Sequence, residues 1–191
     1  MGLTIRTADG ADSAGMLEIY AQFVTDSPVS FETEVPGEAA FRERIATYSR
    51  HAPWLVCAAD GRIAGYAYGS RHRWRSAYQW SVDVTVYVHA GFRRQGVGTL
   101  LYRNLFHCLR LQGFLNAYAG ITLPNPASVR LHESLGFKPV GVYEGVGYKL
   151  GRWHDVGWSG LRLQEMPARP QPPRPPQAVL ADLAWEQPAG V

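Results

Sequence analysis

Lysine is nearly missing from these 191 residues: Lys138 and Lys149 are the only two among nineteen basic side chains, and the rest are arginine. Against sixteen acidic residues the formal charge is +3. The arginines are scattered, except for Arg71, Arg73 and Arg75 in one stretch and the pair Arg93-Arg94. Such short clusters suit small anions, whereas a polynucleotide needs a long basic track, so no nucleic-acid partner is expected. Cysteine is equally scarce. Cys57 and Cys108 make no disulfide framework and too few ligands for a zinc site, and no metal is expected. No apolar run approaches the ~18 residues of a membrane span. The start, Met1 to Arg6, lacks a signal-peptide apolar region and puts Arg6 where myristoylation needs Ser or Thr. A soluble, cytoplasmic protein with no membrane partner is the expectation.

A hydrophobic content of 46% is enough for a real core. Residues 1–165 read as one folded domain and 166–191 as an extended or disordered tail. In the tail Pro167, Pro170, Pro172, Pro173, Pro175 and Pro176 exclude helix and central strand. Arg169 and Arg174 balance Asp182 and Glu186 there, so the net charge belongs to the domain. Leu3 to Arg6 alternates like a short strand. Asp12 is placed to cap a helix whose apolar face is Met16, Ile19, Tyr20 and Phe23, and Phe41, Ile45 and Tyr48 mark a second helix. Trp54 to Ala59 and Ile63 to Gly69 are strands joined at Asp60-Gly61, a strong hairpin signal.

A long strand follows, Tyr78 to Val88. Alternation puts Trp80, Val82, Val84, Val86 and Val88 on one face and Ser81, Asp83, Thr85 and Tyr87 on the other. Aspartate is uncommon inside strands, so Asp83 asks for a reason. Next comes Phe92-Arg93-Arg94-Gln95-Gly96-Val97-Gly98-Thr99, opening a helix that buries Leu101, Leu105, Cys108 and Leu109 and stops at Gly113. A glycine-rich turn at a helix start exposes backbone N–H groups beside the positive end of the dipole, suited to a pyrophosphate. Walker and full dinucleotide patterns are both absent. A second unit repeats the theme. Ala117 to Leu123 is a strand, Asn125 caps a helix with Pro126 at its first position, and Gly136 ends it. Ser128 and His132 share a stripe of that helix. Phe137 to Val142 and Gly147 to Leu163 complete the strands.

In combination, the long strand, Arg93-x-x-Gly96-x-Gly98 and Asn125-Pro126-Ala127-Ser128 through Leu135-Gly136-Phe137 resemble the GNAT superfamily of acetyl-CoA-dependent N-acetyltransferases. More narrowly the chain looks like the phosphinothricin N-acetyltransferases. The matching stretches include Thr85-Val86-Tyr87-Val88, Ser128-Val129-Arg130-Leu131-His132-Glu133 and Gly151-Arg152-Trp153-His154-Asp155-Val156-Gly157. The resemblance implies an α/β (α+β) fold with a mixed, mostly antiparallel sheet flanked by helices, splayed to form an acetyl-CoA cleft. It implies that the backbone of Val86, Tyr87 and Val88 pairs with the pantetheine arm. Arg93, Arg94, Gln95, Gly96, Val97, Gly98 and Thr99 would wrap the pyrophosphate, and Asn125 with Ser128 would contact the cofactor arm. Asp83 aligns with the family's acidic residue, usually Glu, and is one methylene shorter.

The implied reaction is direct attack of an amine on the thioester, with Asp83 as general base, through one water if its reach falls short. Its ordinary pKa of ~3.9 is low for that task, so burial has to raise it or a water chain has to carry the proton away. His132 stands where many members have a tyrosine. Its role is either to protonate the departing thiolate or to hold the substrate. For the acceptor, Phe31, Arg73, Arg75, Tyr78 and Tyr87 match the family's pocket for phosphinothricin, since arginine forks suit its oxyanions. The stretch Arg71-His72-Arg73-Trp74 departs from well-known members. Methionine sulfoximine, methionine sulfone and arsinothricin therefore stand as alternative acceptors. More distant alternatives are a protein N-terminus or lysine, and a non-catalytic acyl-CoA sensor. Family members commonly form homodimers, so a homodimer is expected.

Overall fold

The structure is a computed structural model that describes residues 2–181 and 183–186. Asp182, part of the tail's charge balance, lies outside the described residues. In chain order the elements are β1 (Leu3–Thr7), α1 (Ser13–Thr25), α2 (Glu38–Tyr48), β2 (Trp54–Ala59), β3 (Arg62–Arg71), β4 (Ser81–Val88), α3 (Val97–Gln112), β5 (Asn116–Leu123), α4 (Pro126–Ser134), β6 (Lys138–Lys149), β7 (Arg152–Arg162) and α5 (Gln177–Leu180). The strands form one sheet in the order β1-β2-β3-β4-β5-β7-β6. Only the central β4–β5 pair is parallel.

Helices cover both faces of the sheet, so a middle strand is buried on either side. In β2, Trp54 and Val56 join Tyr20, Phe41, Tyr66 and Tyr87 in an aromatic cluster beneath α1 and α2. Leu55 and Cys57 join Leu101, Leu105 and Leu109 beneath α3. A strand buried on both faces reads as a continuous apolar run, which is how Trp54 to Cys57 appears. At Asp60 (φ 48°) and Gly61 (φ 77°) the β2–β3 hairpin takes the expected two-residue turn.

Four local expectations are revised. The strand expected from Tyr78 begins at Ser81, because Ser76–Tyr78 form a 3-10 turn. Trp80 instead donates its indole N–H to the Gln171 carbonyl at 2.8 Å. On the other face of that strand, Tyr87 is buried in the aromatic cluster. The last hairpin turns at Leu150 (φ 51°) and Gly151 (φ 77°), so β6 runs past Val142 with a register shift between Tyr143 and Gly147. Leucine rarely adopts a left-handed conformation, so composition hides this turn. Finally, Asp12 stands at the N-cap of α1 without capping it; its carboxylate instead grips the Arg6 guanidinium through two 2.6 Å contacts.

From Met166 the chain runs over the α3 face. Arg174 N–H donates to Gln112 O at 2.7 Å, and Gln112 Nε2 returns a bond to Arg174 O at 2.8 Å. After α5, Trp185 packs against the α3 cluster, and Asn104 exchanges hydrogen bonds with the Glu186 backbone.

The Arg6–Asp12 pair ties β1 to the start of α1. Burial acts to raise the Asp12 carboxyl, but the Arg6 fork and the Asp9 N–H outweigh it and hold the group below the ordinary carboxylate value. A depressed carboxylate contributes stability that is present above its unfolded pKa and lost as pH falls through the folded one. Since Arg6 is half exposed, Asp12→Asn is expected to cost about 1 kcal/mol near neutral pH. The deficit should close below roughly pH 3 in urea melts. An equal deficit at both pH values would show that the ion pair is not its source.

Candidate active site

The site starts from a disagreement between two neighbouring strands. β4 and β5 pair at Ser81–Asn116, Val82–Ala117 and Asp83–Tyr118, and there the pairing ends. β4 stays with β3 up to Val88, while β5 stays with β7 up to Asp155. From Val84 onward, one edge of β4 therefore has no strand beside it. Exposure follows: Val84 is buried beneath α3, but Val86 and Val88 on the same face are only partly covered. An open edge in a sheet interior presents N–H and C=O groups that a peptide-like ligand can take up.

The split opens a cavity of about 110 Å³ that passes through the sheet. Val29, Thr85 and Tyr87 line it on the α1 and α2 side; Tyr102, Asn125, Ser128 and His132 line it on the α3 and α4 side. Beyond β4, Arg94 (φ 62°) and Gly96 (φ 79°) turn the chain sharply into α3. No side chain caps α3, so its first-turn N–H groups and dipole face outward beside Arg93 and Arg94. An unpaired strand edge leading into an uncapped, arginine-flanked helix start fits the amides and pyrophosphate of acetyl-CoA. Of the residues expected to contact the co-substrate, Val86, Tyr87, Asn125 and Ser128 line the cavity, Val88 ends the open strand, and Arg93 to Thr99 form the turn into α3.

Asn125 Oδ1 accepts from the Ser128 N–H at 3.1 Å, which explains the residue as a helix cap. His132 is buried, and burial lowers its pKa against the opposing Ser128 hydrogen bond. Its Nδ1 lies 2.8 Å from the Ser128 carbonyl, which only accepts, so Nδ1 carries the proton. Nε2 then accepts from the Tyr102 hydroxyl at 3.1 Å. Both ring nitrogens are engaged. Tyr102, which sequence reasoning missed, is the polar end of this pair and lines the cavity. Nothing in its helical spacing separates it from a core aromatic.

Asp83 occupies the last paired position, at the closed end of the split. Burial raises its carboxyl, while His72 and Arg73 draw it down less strongly. Its Oδ1 is 2.6 Å from His72 Nδ1. Asp83 and His132 therefore belong to opposite faces of the sheet, since Asp83 shares the Tyr87 face and His132 packs on Tyr102 beneath α3.

Among the expected acceptor residues, Tyr78 lies edge-on to His72 at 6.0 Å between ring centroids, and Arg73 sits over the Trp158 ring at 5.9 Å. Trp158 itself, opposite Gly120 on β7, has a buried indole N–H with no partner among the described residues. Arg75 is exposed at the start of the 3-10 turn. Phe31 packs on Gly147, where any Cβ would collide with its ring, and lies 6.3 Å from the His154 ring. The structure thus brings Tyr87 to the cavity, Arg73 and Tyr78 to His72, and Phe31 to β6. Both cysteines are buried with thiols pushed up, Cys57 to about 11 and Cys108 to about 12, which suits packing and not nucleophilic attack.

This is the cleft of an acyl-CoA-dependent amine acyltransferase. Residues 5–158 match the acetyltransferase (GNAT) domain family. The chain is 41% identical over 172 residues to a phosphinothricin N-acetyltransferase of Streptomyces viridochromogenes, covering 90% of this chain and 93% of that protein. It is 36% identical to an L-methionine sulfoximine/L-methionine sulfone acetyltransferase of Salmonella typhimurium, covering 85% and 96%. The crystal structure of a GNAT superfamily phosphinothricin acetyltransferase from Sinorhizobium meliloti in complex with AcCoA superposes with a TM-score of 0.85 at 31% identity, covering 97% of this chain and all of that one. The chain belongs to the GNAT acetyltransferases, and it is an acetyl-CoA-dependent N-acetyltransferase.

Gly96 tests the turn. Its left-handed backbone costs a residue with a Cβ roughly 1 kcal/mol or more, so Gly96→Ala is expected to weaken acetyl-CoA about five-fold by calorimetry. Unchanged affinity would remove the turn from the binding site.

Proposed function

We propose that the protein acetylates the α-amino group of phosphinothricin or a closely related small anionic amino acid. What supports this most is the group at the last paired position of β4 and β5: the raised Asp83 carboxyl, Arg73, and the unpartnered Trp158 N–H. A buried donor without a partner costs free energy unless a ligand satisfies it. A guanidinium over the Trp158 ring suits an oxyanion near that donor, and Arg75 and Tyr78 are the further groups offered to the acceptor.

Asp83 draws the proton from the acceptor amine, directly or through water, and attack on the thioester is direct. Val86 to Val88 steady the thioester arm by backbone hydrogen bonds. On the opposite face Tyr102 and His132 both line the cavity, and this pair returns a proton to the departing thiolate. Dividing proton removal and proton return between the two faces keeps the two groups from exchanging a proton directly.

Methionine sulfoximine and methionine sulfone form a second acceptor class, favoured by the 36% identical relative named for them. The family pattern also supports a homodimer, and the edge strand β6 offers a surface for it. Val140, Val142, Val146 and Tyr148 are all at least half exposed there, an apolar edge that a monomer would leave in water. The amino acid acceptor, a cytoplasmic setting and acetyl-CoA without a metal make one consistent reading.

Thiol release from acetyl-CoA, measured across phosphinothricin, methionine sulfoximine, methionine sulfone and a short peptide, tests the acceptor. Turnover is expected on phosphinothricin at low concentration. Turnover on the sulfur compounds alone would move the substrate and keep the chemistry; release on the peptide alone would overturn the small-acceptor reading. Asp83→Ala is expected to cut kcat about 100-fold or more while leaving acetyl-CoA affinity near that of the unaltered protein. Arg75→Ala should chiefly raise KM for an anionic acceptor. An equal loss with a neutral amine would argue against an anion contact.

A further inference from the structure

One titratable side chain in contact with Asp83 has no part in that scheme. His72 follows directly on β3, and Ser70, two residues before it, pairs with Asp83. Its Nδ1 lies 2.6 Å from Asp83 Oδ1. Facing a carboxylate, Nδ1 carries the proton and donates it, which leaves Nε2 with its lone pair. Nε2 makes no hydrogen bond among the described residues and is not sealed from solvent. The ring is fixed on several sides. It stacks on Tyr118 of β5 at 4.7 Å and 22°, and meets Tyr78 at 6.0 Å and Trp158 of β7 at 6.3 Å, both edge-on. Arg73 anchors its backbone by donating to the His72 carbonyl at 2.7 Å. The charged and titratable groups facing His72 are thus Asp83, Arg73 and the phenols of Tyr78 and Tyr118.

A carboxylate behind one imidazole nitrogen, with the other nitrogen unbonded, is the arrangement by which an acid orients a base. We propose that, in place of transfer to Asp83 directly or through water, His72 Nε2 is the atom that takes the proton from the acceptor's ammonium group, and that Asp83 orients the ring and balances the imidazolium that forms. The proposal rests on the amine acetylation set out above. An N–H bond of the ammonium breaks as Nε2–H forms, and the freed lone pair makes the C–N bond to the acetyl carbonyl. The C–S bond then breaks, with its electron pair leaving on sulfur. The second amine proton ends on the thiol, and the imidazolium returns its proton to water. The carboxylate alone is short for this reach, and an imidazole extends the accepting atom beyond it. Imidazoles ordinarily titrate nearer neutrality than carboxylates, where a base for an ammonium works best.

The decisive comparison is between His72→Ala and His72→Asn in the full chain, assayed by thiol release with phosphinothricin and the two sulfur acceptors, beside acetyl-CoA calorimetry. The asparagine amide still donates to Asp83 but has no base beyond it. Both variants are expected to lose about 100-fold or more in kcat with acetyl-CoA affinity retained. Added imidazole should restore His72→Ala in proportion to its unprotonated form. If His72→Asn instead keeps activity within about three-fold, His72 only braces Asp83 and the base role is overturned. Nitrogen-15 NMR of the unaltered protein gives a readout independent of any acceptor. A proton on Nδ1 and none on Nε2 is expected at alkaline pH, and the reverse tautomer would overturn the proposal. Failure of the unaltered protein to release thiol with any acceptor would overturn the acetylation reading and the base role together. Normal turnover with both His72 variants unimpaired would overturn the base role alone.

Discussion

Three paired positions between β4 and β5, and then none, are the constraint on which the rest of the molecule depends. Backbone N–H and C=O groups in a sheet interior normally find partners, because leaving them bare costs about as much as a lost hydrogen bond. Here each strand is held away from the other by its outer neighbour, β3 on one side and β7 on the other. The gap cannot close by relaxation of one strand without breaking a longer ladder. The resulting edge, the cavity behind it and the exposure of Val86 and Val88 all have this one cause. The uncapped start of α3 is then placed by chain continuity, since only eight residues separate Val88 from Val97.

The same split arranges the charges. Asp83 stands where pairing stops, deep enough for burial to raise its carboxyl. Side chains alternate along β4, and this sends Asp83 to the face of the aromatic cluster while Tyr102 and His132 approach from beneath α3. The buried, elevated thiols of Cys57 and Cys108 offer no nucleophile for an acyl-enzyme. Arginine in place of lysine around the opening suits planar and tetrahedral oxyanions, because the guanidinium is rigid and always charged.

Much of this was legible in the residues. The apolar run at Trp54 to Cys57, the Asp60-Gly61 turn, the helix stops at Gly113 and Gly136, and the Asn125 cap with Pro126 behind it are local signals that the fold obeys. So is the glycine turn before α3, whose resemblance to the acetyltransferases set the fold and the co-substrate. Other features were hidden for identifiable reasons. The hairpin at Leu150-Gly151 has no turn composition on its first residue. Asp12 passes for a helix cap until Arg6, on another element, claims its carboxylate. Tyr102 and Trp158 look like core aromatics, and what separates them from the others is a polar atom whose surroundings come from distant segments.

Sequence by itself determined the elements and the faces they bury, because periodicity, caps and turns act over a few neighbouring residues, and its resemblance to a known family gave the class of chemistry. It also marked Asp83 as out of place in a strand. Tertiary structure alone decided how far β4 and β5 run together, which way the C-terminal chain folds back, and that His72, eleven residues from Asp83, would meet it at 2.6 Å. Those outcomes depend on register between strands and on packing across the sheet, and no local pattern carries that information.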